Sequence, residues 1–578
     1  MIDDNDEIQK KNIDLLIAGY WYEDLPPVME MGTIAENLKC IVKGIDNDRY
    51  DDFKKLNGLI IEYKKMESPT YIYNDGIEPI TFFEFKNNGA LREMQIPNLK
   101  YYCSFIYNTI AVYDKLFSKL YNNPEFDKYV SNSNSYILFN ELFHVFKMYD
   151  GSEEVIESGL FAVKNNKTTG QLAREENNVR YLKKQGAKLY SVKVDIESFY
   201  PNVYTHYLSK IKTAEPYKGN IMCDSYFDFL DYYNMKINNN QTKGIVTGVF
   251  SSAVSAELLM LCVDYEINSV IGDEVTYIRY VDDLTFFSDS LEEIYSKLPL
   301  VQRVLNKYRL RINNNKTESH MSIYNMSYVD MYNLRRRFDF FNFDSANGVK
   351  YDKEVFYNIK GYVSRAYDNN QKSDIKAFLS MFNRAVYSKI ISFDDNEKID
   401  LKEHTIAYML QLACSEPIFA SRCYRVIISI LQLIDDVDEK ERVIGLIKSK
   451  SDYINSTYHD SLLQIWHYYV LSKYDSKTKI KEILNGFGNY EINPIILAGF
   501  VREGNGENKE LFDYIKNKYS SIVNKEGEDS FWKKSIMVSK WWLPLLVIYL
   551  KDGKNYSNFY HSQHFGSIYK AMKDEITI

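Results

Sequence analysis

The sequence predicts an α+β protein followed by an all-α region, and three observations carry that prediction. First, two adjacent carboxylates, Asp282 and Asp283, are framed by strand-like runs, with Tyr277, Ile278, Tyr280 and Val281 before them and Leu284, Phe286 and Phe287 after. This reads as strand, tight turn, strand. Second, residues 80–337 alternate strand-like with helix-like stretches. Third, residues 338–578 form a succession of amphipathic helices, with Ile406, Met409, Leu410 and Ala413 at i, i+3, i+4 and i+7, and Leu462, Ile465, Trp466 and Tyr469 likewise.

In chain order, residues 1–79 are mixed, with a break at Pro26-Pro27. Asn88-Gly89 is a strong turn signal between extended stretches. Ser191 to Val194 form a short apolar strand that ends at Asp195, and the Asn runs at 238–240 and 313–315 are expected loops. Beyond 338, stacked helix pairs in a solenoid-like array are expected, although no fixed repeat period is visible. The run Trp541 to Leu550 is apolar on too broad a face to stand alone, so these helices must bury against one another, the preceding region or a second subunit.

Composition narrows the function classes. Hydrophobic residues make up 45% and charged residues 26% of 578, as expected of a well-packed soluble protein. Six cysteines without a CxxC pair suggest neither a disulfide framework nor a zinc site, and fit a reducing cytoplasm. No signal peptide opens the chain, and the longest apolar run falls short of the roughly 18 residues a membrane span needs. The net charge of −8 argues against a general nucleic-acid coat but leaves room for a local basic groove. Basic stretches run over Arg180 to Lys193, Val304 to Lys316 and Leu334 to Arg337; each is either a solvated face or a binding surface.

Asp282-Asp283 differs from the other Asp-Asp pairs, at Asp3, Asp51, Asp394 and Asp435, which stand in polar or turn-like surroundings. Two carboxylates backed by hydrophobic strands repel each other unless a cation neutralises them. The pair is therefore either a divalent-metal site or an ordinary Asp-rich hairpin turn. A metal site would need a third carboxylate from another strand, which Asp195 supplies; Glu197 would share its face only if the strand continued.

Together, Asp195 and the Tyr280 to Asp283 stretch resemble the palm of a reverse transcriptase, and five further stretches extend the likeness. Lys86 to Pro97 resembles the fingers hairpin of group II intron and retron-type enzymes, with Glu93 where those carry Pro. Gln241 to Met260 is similar to the segment after the first palm strand, with Val246-Thr247-Gly248 in place of Pro-Gln-Gly, and Leu310 to Glu318 to the following palm motif. Leu15 to Val28 and Phe199 to Leu208 look like signatures of AbiK-type, defence-associated bacterial reverse transcriptases, which also carry a long helical-repeat C-terminus.

The resemblance implies a right-hand polymerase with fingers and an antiparallel palm sheet over 80–337, an N-terminal extension packing on the fingers over 1–79, and a HEAT-like helical domain over 338–578. It implies that Asp195, Asp282, Asp283 and the backbone of Ile196 hold two Mg2+ ions, or Mn2+, and that Lys316 donates a proton to the leaving pyrophosphate. Lys86 and Arg92 would reach the triphosphate of a dNTP, with Ile196 and Gly248 lining the nucleotide site. Tyr200 would block a ribose 2′-hydroxyl. His206 belongs to one signature and is expected to be buried and hydrogen-bonded.

AbiK likeness further implies antiphage defence by untemplated DNA synthesis primed on a protein tyrosine, homo-oligomerisation as a trimer or hexamer, a single-stranded DNA product attached to the protein, and room for an RNA partner. The 50 tyrosines offer no local rule for choosing the priming residue. The helical region is expected to pack against the palm and narrow the product channel. Competing readings are a retroelement enzyme copying RNA, a non-catalytic helical scaffold, and a toxin with a C-terminal RNase. No HNH or zinc spacing supports the first, the intact Asp195, Asp282, Asp283, Lys86 and Arg92 oppose the second, and no histidine has an arginine at the RNase spacing for the third.

Overall fold

The computed structural model describes residues 16–17, 19–29, 76–99, 101–106, 108–109, 132–133, 163–164, 167–168, 179–214, 217–218, 221–322, 349–394, 400–475, 480–488, 490–503, 508–522 and 539–552. The Leu334 to Arg337 cluster lies outside them.

A hairpin comes first, formed by β1 (Ile80–Phe85) and β2 (Leu91–Ile96) in antiparallel register. Its turn is closed by the Lys86 amide donating to the Ala90 carbonyl at 2.8 Å and by Asn88 Oδ1 accepting from the Ala90 amide at 3.1 Å. Gly89 sits at φ +79°, a conformation that a side chain would strain. Ile80, Phe82, Met94 and Ile96 fall on the buried face, the period of two expected of a half-buried ribbon.

The central sheet has β3 (Tyr190–Asp195), β4 (Thr276–Tyr280), β5 (Asp283–Ser288) and β6 (Glu318–Met321), in the spatial order β4-β5-β3-β6 and antiparallel throughout. The strand–turn–strand reading of 277–287 holds. The inner face carries Val192, Val194, Tyr277, Leu284 and Phe286, all fully or nearly fully buried. Two helices join the strands, α1 (Ile221–Ile237) and α2 (Phe250–Ile271), and α3 (Leu291–Lys307) follows β5. α2 is buried on almost every side, and its small residues Ser251, Ser252, Ser255 and Ala256 let neighbours approach closely. α3 is amphipathic, capped by Ser290, whose side chain accepts from the Glu292 amide, with acidic residues in the first turn where the helix dipole favours them.

After residue 338 the described residues are mainly helical, and the helices include α4 (Lys353–Asp368), α5 (Lys372–Tyr387), α6 (Leu401–Ser415), α7 (Ala420–Leu431), α8 (Leu462–Tyr474), α9 (Pro494–Arg502) and α10 (Trp542–Asp552), with Val437–Lys448 and Asn508–Ile522 besides. The apolar stripe read from sequence is the buried one in α6, whereas α8 is buried from Leu462 to Ser472, well beyond its stripe. The all-α expectation needs one correction: β7 (Val349–Tyr351) pairs in parallel with β8 (Ile391–Phe393) across α4 and α5. Three-residue strands leave too short a pattern to read.

The helical region is tied to the hairpin and to residues 23–28. The Phe83 amide donates to the Asp460 carbonyl at 2.8 Å, so the loop before α8 covers the outer edge of β1. Asn493 Nδ2 donates to the Thr81 carbonyl at 2.9 Å and Lys372 Nζ to the Asn87 carbonyl at 3.1 Å. Trp466 Nε1 donates to the Asp24 carbonyl at 2.6 Å, while Arg422 pairs with the Asp24 carboxylate at 2.8 Å. These attachments, among the described residues, are to the hairpin and the N-terminal stretch, and Asp460, Glu491 and Asn493 share a cavity with Asn238, Asn239 and Gln241 of the preceding region.

Candidate active site

The sheet register brings the predicted carboxylates together. Asp195, the last residue of β3, stands opposite Asp283, the first of β5, while Tyr280 pairs with Asp283 from the other side. The Ile196 amide donates to the Asp282 carbonyl at 3.1 Å and thus joins the end of β3 to the turn. Ile196 itself is buried. Asp282 carries the largest electrostatic burden: burial, then the neighbouring Asp283 and Asp195, push its carboxyl up to about 6, against the pull of Lys316.

Two ammonium groups relieve this concentration of negative charge. Lys316 Nζ lies 3.1 Å from both oxygens of Asp195. It comes from a one-turn 3-10 helix, Asn314–Lys316, capped by Asn313, whose own amide donates to the Asp195 carbonyl at 2.7 Å. Lys193 Nζ lies 3.0 Å from Asp283 Oδ2. Sequence reasoning named Lys193 only as the end of a basic stretch and missed its place at this edge, although it stands two residues before Asp195 and hence on the same face of β3.

The donor set suits a hard divalent cation: carboxylate oxygens are its preferred ligands, and two lysines already sit where positive charge is wanted. Among the described residues no three His, Cys, Asp or Glu side chains converge into a ready-made cage. Asp195, Asp282 and Asp283 share the edge without closing on a point, as carboxylates held by lysines should.

Tyr200 lies beside this edge, on the short helix Phe199–Asn202 that follows β3. Burial and the charge of Asp282 hold its phenol well above the usual range, so the ring is a neutral wall of the site, and Arg92 lies close enough to act on it in the opposite sense. Arg92 is on β2 opposite Glu84, and both Arg92 and Lys86 are exposed on the hairpin, where a phosphate could reach them. Gly248 has φ +106°, and a Cβ there would meet Met94 Cε at 2.7 Å. The glycine therefore allows the palm segment to touch the hairpin, helped by the Gln95 amide donating to the Thr247 carbonyl at 2.9 Å. His206 is hydrogen-bonded as expected, its Nδ1 being 2.9 Å from Asp231, but it is exposed because the helix it opens lies at the surface.

The basic stretch Arg180 to Lys193 is partly structural. Arg180 donates to the Ser133 carbonyl at 2.9 Å, Lys184 to Asn132 Oδ1 at 2.6 Å, and Lys188 pairs with Asp289 at 3.0 Å.

The antiparallel sheet presents one carboxylate at the end of a strand and two at the adjoining turn, and these residues fall inside a family match. Residues 143–354 match the family described as reverse transcriptase (RNA-dependent DNA polymerase). The chain therefore contains a reverse transcriptase domain, a nucleotidyltransferase domain. Among solved structures it is similar to apo telomerase from Candida tropicalis, at 13% identity over 74% of this chain and 72% of that one, with a TM-score of 0.31. A telomerase from Candida albicans in complex with a TWJ fragment of telomeric RNA gives 11% identity, 69% and 67% coverage and a TM-score of 0.26. The C-terminally truncated apo telomerase from Candida tropicalis gives 15% identity and a TM-score of 0.26 over 41% of this chain; the match spans 49% of that chain, about half its length. No curated protein matches.

Proposed function

We propose that this chain is a DNA polymerase that joins deoxynucleotides to a tyrosine of its own, without a template, and serves antiphage defence. The observation that supports nucleotidyl transfer is the meeting of Asp195, Asp282 and Asp283 at one sheet edge with Lys316 in reach. The signatures at Leu15 to Val28 and Phe199 to Leu208, together with a long helical region after residue 338, support the AbiK-type reading.

In this reading Asp195, Asp282, Asp283 and the Ile196 carbonyl hold two Mg2+ ions, for which Mn2+ can substitute. Bound there, the ions would lower the pKa of the attacking hydroxyl and neutralise the departing pyrophosphate. The hydroxyl oxygen bonds to the α-phosphorus as the bond to pyrophosphate oxygen breaks. Lys316, freed from Asp195, protonates the leaving group. Lys86 and Arg92 hold the triphosphate as charge-assisted donors. Tyr200, a neutral ring beside Asp282, lies under the sugar and excludes a 2′-hydroxyl. The active form would be a cytoplasmic homo-oligomer, a trimer or hexamer, with single-stranded DNA attached and space for an RNA partner. Among the described residues no helix is long and apolar enough to cross a membrane.

The test is to incubate pure protein with each labelled dNTP, without template or primer, and to look for protein-linked label on a denaturing gel. Label that appears only when an RNA template and primer are supplied would instead favour a retroelement enzyme. Tyr200→Ala should raise rNTP use relative to dNTP by about tenfold or more by removing the steric block, a fold corresponding to about 1.4 kcal/mol. Equal use of both by wild type would reduce Tyr200 to a packing residue.

A further inference from the structure

Arg279 is among the largest side chains in the protein with no solvent exposure, and it lies on β4 three residues before Asp282. A guanidinium is excluded from water only if charges and hydrogen bonds compensate it. Two carboxylates of α2 do so. Its Nε lies 3.1 and 3.0 Å from the two oxygens of Asp264, and Nη2 is 2.7 Å from Asp264 Oδ2. Glu257 takes the other side, with Nη1 at 2.8 Å and Nη2 at 2.9 Å from its oxygens. The carboxylates are themselves fixed: the Tyr277 hydroxyl donates to Asp264 Oδ1 at 2.9 Å and the Ser133 hydroxyl to Glu257 Oε1 at 2.5 Å.

One further donor contact is aimed at the site. Nη1 of Arg279 donates to the Val281 carbonyl at 3.1 Å. Val281 is the first residue of the turn and has φ +55°, a left-handed conformation that a β-branched side chain rarely adopts. The next residue is Asp282. A strained turn persists only where its surroundings over-determine it, and here the determining group is anchored on α2, a helix buried on almost every side.

We propose that Arg279, clamped between Glu257 and Asp264, is a positioning residue: it holds the Val281 carbonyl and so the turn that sets where Asp282 and Asp283 meet a divalent cation. The inference rests on reading Asp195, Asp282 and Asp283 as the metal-binding edge. A lysine can keep the buried charge at this position, yet its single ammonium cannot bridge both carboxylates and the carbonyl at once.

The experiment compares full-length wild type, Arg279→Lys and Asp282→Asn by circular dichroism, by Mn2+ titration followed by electron paramagnetic resonance, and by dNTP incorporation. Arg279→Lys is expected to stay folded, to lose about tenfold in Mn2+ affinity and about 10–100-fold in kcat, with KM for dNTP changed by less than about threefold. Adding Val281→Gly, which adopts positive φ without strain, should recover part of that loss. Should Arg279→Lys fail to fold, Glu257→Gln decides, since it loosens the clamp and leaves Arg279 opposite one carboxylate; about threefold weaker Mn2+ binding is expected. A folded Arg279→Lys or Glu257→Gln protein that binds Mn2+ like wild type overturns the proposal, provided Asp282→Asn has lost the ion. If Asp282→Asn also binds Mn2+ like wild type, the metal-edge reading itself fails.

Discussion

The palm edge and the helical region each place a titratable side chain under cover, and the two respond to protons with opposite sign. Asp282 is raised to about 6 by burial and by neighbouring carboxylates, so its ionisation works against the fold. That contribution to stability is fully present below the unfolded pKa near 3.8 and is lost as pH rises through about 6, a loss of roughly 1–3 kcal/mol. His467 in α8 is buried between the Tyr424 hydroxyl at 3.0 Å and the Ser451 hydroxyl at 2.9 Å, with no carboxylate bonded to it, and burial pushes its imidazole down to about 3. Its contribution is present above the unfolded pKa near 6.5 and is lost as pH falls towards about 3. The palm thus stores a destabilising charge that a cation would relieve, whereas the helical region stores a neutral, satisfied polar group. A catalytic edge tolerates instability because a ligand repays it; a packing core has no ligand to wait for.

The largest expected effect separates the two regions by activity. Asp195→Asn and Asp282→Asn should each lower dNTP incorporation by at least about a thousandfold, Asp283→Asn by less, with the fold intact by circular dichroism. Asp282→Asn should also raise the metal-free melting temperature at pH 7, because it deletes a repelled charge. Full incorporation by Asp282→Asn would remove the palm edge from the mechanism.

Trp466 tests the other side. It is fully buried in α8 and donates to the Asp24 carbonyl, so Trp466→Ala should cost about 3–5 kcal/mol in thermal or denaturant unfolding. Mn2+ affinity per folded molecule should not change. Truncation near residue 340 is the extreme of this experiment: it uncovers the outer edge of β1 and should leave the remainder insoluble or inactive although every palm motif is present.

Proton dependence sharpens the contrast further. Mn2+ affinity should fall by about tenfold per pH unit below about 6, as protons compete for Asp282. Over the same range the helical region should lose stability on acidification, and His467→Gln should flatten that loss. An acid loss of stability that is unchanged in His467→Gln would erase the distinction.

The smallest effect concerns Lys193. It is half-exposed and shares Asp283 with any incoming cation, so Lys193→Ala should tighten Mn2+ binding by no more than about fivefold. A weaker affinity in this variant would show that Lys193 assembles the site instead of competing for it.

What the sequence determined by itself is what short-range patterning can hold. Alternation around Asp282-Asp283 specified a hairpin because side chains on a strand repeat every two residues, and the Asn88-Gly89 turn followed from glycine at positive φ. The stripe through Met409 specified the buried face of α6 for the same local reason. Tertiary structure alone decided the rest. An arginine inside the TYIRY strand was visible as a charge in an apolar run, but its meaning depends on Glu257 and Asp264 of α2, brought within 2.7–3.1 Å by a helix earlier in the chain. The helical region's attachment to Phe83, Thr81 and Asp24 was equally hidden, since backbone carbonyls and amides look alike in every sequence. Partner choice across hundreds of residues is settled by which surfaces remain after local elements form, and that is a property of the packed molecule.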